Sequence, residues 1–126
     1  MTAPLTPELA LAYLTTLSAD LRAAVILRDG QLLAGPVRLR EPAAQLFQDK
    51  EATTLEGRTG QGAVFAARDD EHAIVAVTGP HALPRLTRRD LRTVLSALGR
   101  EIPAETPPTT IRDAAVNALL RAVSAP

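Results

Sequence analysis

The chain of 126 residues has no cysteine and no tryptophan. Disulfide bonds, thiolate metal sites and thiol nucleophiles are therefore absent together, a composition that fits a reducing compartment. Aromatic side chains are limited to Tyr13, Phe47 and Phe65, which leaves little for stacking on bases. Charge of either sign is not in excess: 14 basic residues balance 14 acidic ones, so no long-range field draws the chain to a phosphate backbone. No apolar run approaches the ~20 residues that span a bilayer. Near the amino terminus no basic residue precedes the apolar stretch, and Pro4, Pro7 and Glu8 interrupt any leader-peptide core. Neither nucleic acid nor membrane is expected as a partner, and the expected location is cytoplasmic.

Sets of residues that carry chemistry are also missing. His72 and His81 fall in loops and form no helical pair or facial triad, so they read as solvated loop histidines and not as metal ligands. The run Asp69-Asp70-Glu71 lacks the alternating carboxylates and distal glutamate of a calcium loop and reads as a solvated turn. Ser18, Ser96 and Ser124 are the only serines, and none lies in a nucleophile elbow or just before a lysine. Gly60-Gln61-Gly62 has neither the length nor the Lys-Ser/Thr of a phosphate loop. No carboxylate stands at an apolar strand end where its pKa would rise. The expectation is a chain that is not an enzyme, with no catalytic residue, no metal and no cofactor.

What is present is a globular composition, 46% apolar and 22% charged, at a length that supports one core. Thirteen of the fourteen basic residues are arginine, consistent with a GC-rich coding sequence. Thr6 as N-cap, Pro7 at the first helical position and Glu8 in the first turn open a helix. Leu9, Tyr13, Leu17 and Leu21 recur along it every four residues, with Leu11 and Leu14 widening the stripe. Apolar runs at 22–27 and 31–34 flank Arg28-Asp29-Gly30, a tight hairpin turn with positive φ. Pro36 and Pro42 confine a second helix to about 42–48, with Ala43, Leu46 and Phe47 on its apolar side. Residues 51–58 read as a third strand, and 63–68 and 73–78 as two more around the acidic loop. Thr87 and Asp90 imitate a capping box for a helix in which Leu91, Val94, Leu95 and Leu98 form one face and Gly99 stands as C-terminal cap.

Pro103 to Pro108 then reads as a semi-rigid linker, followed by a helix capped by Thr109 or Thr110. Ile111, Ala115, Leu119 and Val123 make one side of it and Val116 and Leu120 adjoin them. The organisation expected is a domain over 1–102, a linker over 103–108 and an amphipathic helix over 109–126. Three strands are apolar at odd and even positions alike, which implies a sheet covered by helices on both faces. The first and third helices can cover one face; the short second helix cannot shield the other. Either the carboxy-terminal segment, through Ile111, Val116, Leu119, Leu120 and Val123, or a second copy of the chain must lie there. The cluster Arg85, Arg88, Arg89 and Arg92 reads as a solvated helix face supported by Asp90, with contact to an acidic partner as the alternative.

In this order of elements the sequence resembles the roadblock domain family, which includes dynein light chains of the roadblock type and bacterial partners of Ras-like gliding GTPases. The resemblance rests on the opening helix running into Leu21-Arg22-Ala23-Ala24-Val25-Ile26-Leu27-Arg28-Asp29-Gly30-Gln31-Leu32-Leu33-Ala34, on the paired runs at 62–68 and 72–77, and on the closing helix at 87–99. It spans about residues 6–100. It implies an α+β fold of order α-β-β-α-β-β-β-α, with an antiparallel five-stranded sheet between helices, to which this chain adds its carboxy-terminal helix. It also implies a non-catalytic regulatory or scaffolding subunit that binds a Ras-like small GTPase or a larger assembly. Homodimers or higher oligomers joined through the second helix and third strand are implied too, which puts Ala43, Leu46, Phe47, Thr53 and Leu55 at the interface. The chain departs from the family in the brevity of its second helix and in the helix after the linker. The rival reading is a small-molecule sensor of the profilin or GAF-like kind, with its ligand between sheet and helix.

Overall fold

The computed structural model describes residues 6–18, 20–47, 52–98 and 107–124. The positions Gln48, Glu51, Gly99 and 103–106, to which the sequence assigns a helix end, a strand start, a cap and most of a linker, lie outside the described residues. The elements run α1 (Pro7–Leu17), β1 (Leu21–Arg28), β2 (Gln31–Ala34), a 3₁₀ turn (Val37–Leu39), α2 (Arg40–Leu46), β3 (Thr54–Thr59), β4 (Gly62–Arg68), β5 (Ala73–Thr78), α3 (Pro84–Leu98), β6 (Thr109–Thr110) and α4 (Asp113–Ser124). One sheet of order β2-β1-β5-β4-β3-β6 organises them. Its first five strands pair antiparallel, and β6 adds a sixth, parallel to β3.

Local chemistry starts and stops these elements. The Thr6 hydroxyl accepts a hydrogen bond from the Leu9 amide at 3.3 Å, with Pro7 in the first turn behind it, so α1 begins where its caps place it. The β1–β2 turn has Asp29 at φ 52° and Gly30 at φ 77°, the paired positive angles that match strand twist in a two-residue hairpin. Helix α3 begins earlier than the capping-box reading allows. Pro84 opens it, and Thr87 is already inside, its hydroxyl donating back to the Leu83 carbonyl at 3.0 Å. Thr109 and Thr110 likewise do not cap a helix: they form β6, and α4 starts at Asp113. Ile111 thus precedes the helix on which the periodicity places it.

Each strand of the sheet's centre feeds two cores. Ala24, Ile26, Phe65 and Ile74 face α1 and α3, packing with Leu14, Leu91, Val94 and Leu95. Val25, Leu27, Val64, Val75 and Val77 face the other way, toward α2 and α4. This explains the strands that are apolar at both parities: alternate residues enter different cores. The i, i+4 stripe of α1 departs from expectation. Leu9, Tyr13 and Leu17 remain exposed, while Ala10 and Leu14 are buried. The face α2 leaves bare is covered by the carboxy-terminal segment of the same chain, with Ile111, Val116, Leu119 and Leu120 buried and Val123 half-buried.

Candidate functional site, a basic cleft beside α3

Helix α3 packs over β4 and β5, which leaves the α1/α3 face of the edge strand β3 beside it less covered. A cleft of about 610 Å³ opens between them. Its floor is Thr54 of β3 with Ala66 and Ala67 of β4, and the small Ala67 side chain, on the α1/α3 face of the sheet, leaves the space unfilled. Its wall is the amino-terminal part of α3, with Leu83, Pro84 and Leu86 at one end and Leu91 and Arg92 further along.

All four arginines of the sequence cluster, Arg85, Arg88, Arg89 and Arg92, line this cleft. They are held differently. The Arg88 guanidinium donates to the Glu56 carboxylate of β3 at 2.6 Å, with both side chains about a quarter exposed, and so ties α3 to the edge strand. Arg89 lies 3.8 Å from Asp90 with 68% of its side chain in solvent, a geometry too loose and too wet to fix it. Arg85 is exposed in the first turn of α3, where no acidic residue accompanies it. A cation there faces the positive end of the helix dipole, so helix stability does not account for it. Exposed Leu83 and Leu86, at 63% and 44%, set apolar surface beside the guanidinium groups.

Asp90 differs from its expected role as a solvated partner of the arginines. It is buried, at 5% exposure, and burial pushes its carboxyl above the ordinary aspartate value although Arg89 pulls the other way. No apolar strand end flags it in the sequence; its signal is its position one residue before Leu91, on the inward side of α3. On the far side of the sheet, Ala43 and Leu55 are buried within the single chain. Leu46 and Phe47 pack partly against the same core, and Arg68 lies over the Phe47 ring, 5.3 Å from its centroid. Thr53 is exposed and its carbonyl accepts from the Arg68 amide at 2.9 Å. The expected interface set is therefore divided between a closed core and a rim. Among the described residues no helix is long and apolar enough to cross a membrane, and no group of three or more metal-ligating side chains forms.

No protein-family model and no curated protein matches the sequence. Solved structures do. A Roadblock/LC7 domain from Streptomyces avermitilis superposes with a TM-score of 0.64 at 10% identity, covering 75% of this chain and 94% of that one. A second Roadblock/LC7 domain structure from Streptomyces avermitilis gives 0.57 at 17% identity over 70% and 93%. The gliding protein MglB from Thermus thermophilus gives 0.57 at 12% identity over 72% and 84%. At these identities the likeness is one of architecture, and the architecture of this chain is the Roadblock/LC7 fold.

Proposed function

We propose that the chain is a non-catalytic regulatory or scaffolding domain of the cytoplasm that binds a Ras-like small GTPase, and that the basic cleft beside α3 is its contact surface. The observation that carries this reading is the unsupported arginine set: Arg85 and Arg89 stand exposed at the start of α3 next to Leu83 and Leu86, on a fold shared with MglB. Cations rimming apolar surface suit an acidic partner face, steering its approach and then burying its apolar centre. A GTPase switch segment changes shape with the γ-phosphate, so binding depends on the nucleotide carried. Titration calorimetry against the small GTPases of the same genome, loaded with GDP or a non-hydrolysable GTP analogue, tests this. Tighter binding of one loaded form, weakened by Arg85→Glu with Arg89→Glu, is the expected result. Equal affinity for both forms leaves scaffolding alone, and no binding to any removes the reading.

The size of the cleft favours a second reading. A volume of about 610 Å³ lies within the ~300–1,000 Å³ of small-molecule sites, and its arginines select an anion. Thermal-shift screening against anionic metabolites separates this sensor reading from the first, since a small ligand raises the melting temperature with no protein partner present.

A further inference from the structure

The cleft beside α3 is amphipathic, and its two characters lie at different depths. Deep in it are Ala67 on the α1/α3 face of β4 and Leu91 of α3, both buried. At its mouth stand Leu83 and Leu86, both exposed. Apolar side chains thus line the cleft from mouth to floor. Water held against such surface has few polar partners, and an apolar group that displaces it gains the burial free energy of each methylene.

Exposed charge stands at the rim. Arg88 is taken by Glu56 at 2.6 Å, so its charge is met within the chain. Arg85 and Arg89 are both exposed, Arg85 with no acidic residue in the first turn of α3 and Arg89 with Asp90 only at 3.8 Å. Four residues apart on a helix, they share one side of it at a Cβ separation of about 5–6 Å. Two guanidinium groups so placed can hold the two oxygens of one carboxylate. An inorganic anion would meet these arginines and leave the apolar space below them empty. A neutral apolar ligand would fill the space and leave the arginines unused. A ligand that answers both features has an anionic head and a hydrocarbon tail.

We propose that the cleft is a binding site for an alkyl carboxylate, a single acidic head on an unbranched hydrocarbon chain, with Arg85 and Arg89 holding the head and the tail lying over Ala67 between Leu86 and Leu91. This names the ligand class of the small-molecule reading given above and rests on it. Ala67 is the residue that sets how much tail the cleft accepts, because a larger side chain at that position on the floor fills the space from below.

Titration calorimetry of the full chain with butanoate, octanoate, decanoate and dodecanoate, each below its micelle concentration, tests head and tail separately. Affinity should rise with tail length, by up to about fourfold for each added methylene, and level off once the cleft is full. Arg85→Gln with Arg89→Gln should weaken every chain length by a common factor, roughly tenfold, and leave the dependence on length intact. Ala67→Leu should do the reverse, weakening the longer chains and flattening that dependence. Leu86→Ser, at an exposed position, should flatten it too, and it serves should Ala67→Leu fail to fold. Decanol bound as tightly as decanoate overturns the proposal, since the arginines then recognise nothing. Binding to phosphatidylglycerol vesicles with none to monomeric decanoate also overturns it, and marks a membrane surface instead. If butanoate or inorganic phosphate binds as tightly as dodecanoate, the proposal fails and the small-molecule reading stands; no binding of any anion removes both.

Discussion

Asp90 is the one carboxylate of α3, and burial holds its pKa above the ordinary aspartate value of 3.8. The unfolded chain releases this proton more readily than the folded one. Its contribution to stability is therefore fully present below the ordinary value and is lost as pH rises through the raised folded value. Asp90→Asn keeps the shape and removes the charge, so thermal melts should show a higher midpoint for the variant at neutral pH. The advantage should shrink to nothing as pH falls below 3.8. A variant less stable than the parent at neutral pH would mean that the loose Arg89 contact at 3.8 Å outweighs burial. The β1–β2 turn gives a second test at single-residue scale. Gly30 has open space around the position a Cβ would take but a φ of 77°, so Gly30→Ala probes backbone strain with no steric clash. Denaturant unfolding should register a loss of about 1 kcal/mol.

Helix α3 carries opposed demands at its first turn. Arg85→Glu replaces a cation facing the positive end of the dipole with an anion, and should stabilise the helix by ~0.3–1 kcal/mol at low salt. If the cleft meets an acidic partner, the same change should slow association. Gain in midpoint with loss of on-rate, read by thermal melts and by surface-immobilised partner, is the expected pair; an unchanged on-rate would take Arg85 out of the contact. The arginines themselves are legible in the sequence because they crowd one short segment. The rest of the cleft is not, since Thr54, Ala66 and Ala67 are brought to α3 by packing across the sheet. Among the elements, α1 and the hairpins are legible where the signal is local: a cap, a paired turn, an apolar run of both parities. Pro84 is a local signal too, a proline at a first helical position, and the spacing of Thr87 and Asp90 masks it. Strand β6 has no signal, because two exposed threonines become a strand only by finding β3 more than fifty residues earlier. The sequence poses the question of what covers the second face and admits two answers; α4 supplies the intrachain one.

At the scale of the whole molecule the sheet is a shared wall between two cores, and the cores are not equal in how they are closed. The core under α1 and α3 is sealed by two helices continuous with the central strands. The core under α2 and α4 depends on a segment that joins the sheet through two residue pairs and a helix of twelve residues. Cooperative units of this kind open at different free energies, and those with the fewest buried connections open first. Native-state hydrogen exchange should therefore rank the amides of β5, a strand paired on both sides, at the free energy of global unfolding. The Ile111 amide and those of α4 should exchange through a smaller opening whose denaturant dependence reports less surface exposed. Substituting Leu119→Ala, which removes a buried anchor worth about 2–5 kcal/mol, should lower the opening energies of α4 and β5 alike, because α4 is released in both openings, whereas Ile74→Ala, in the core under α1 and α3, should lower that of β5 and leave that of α4 unchanged. Equal opening energies for Ile111 and the β5 amides, falling together in Ile74→Ala, would make the two cores a single cooperative unit.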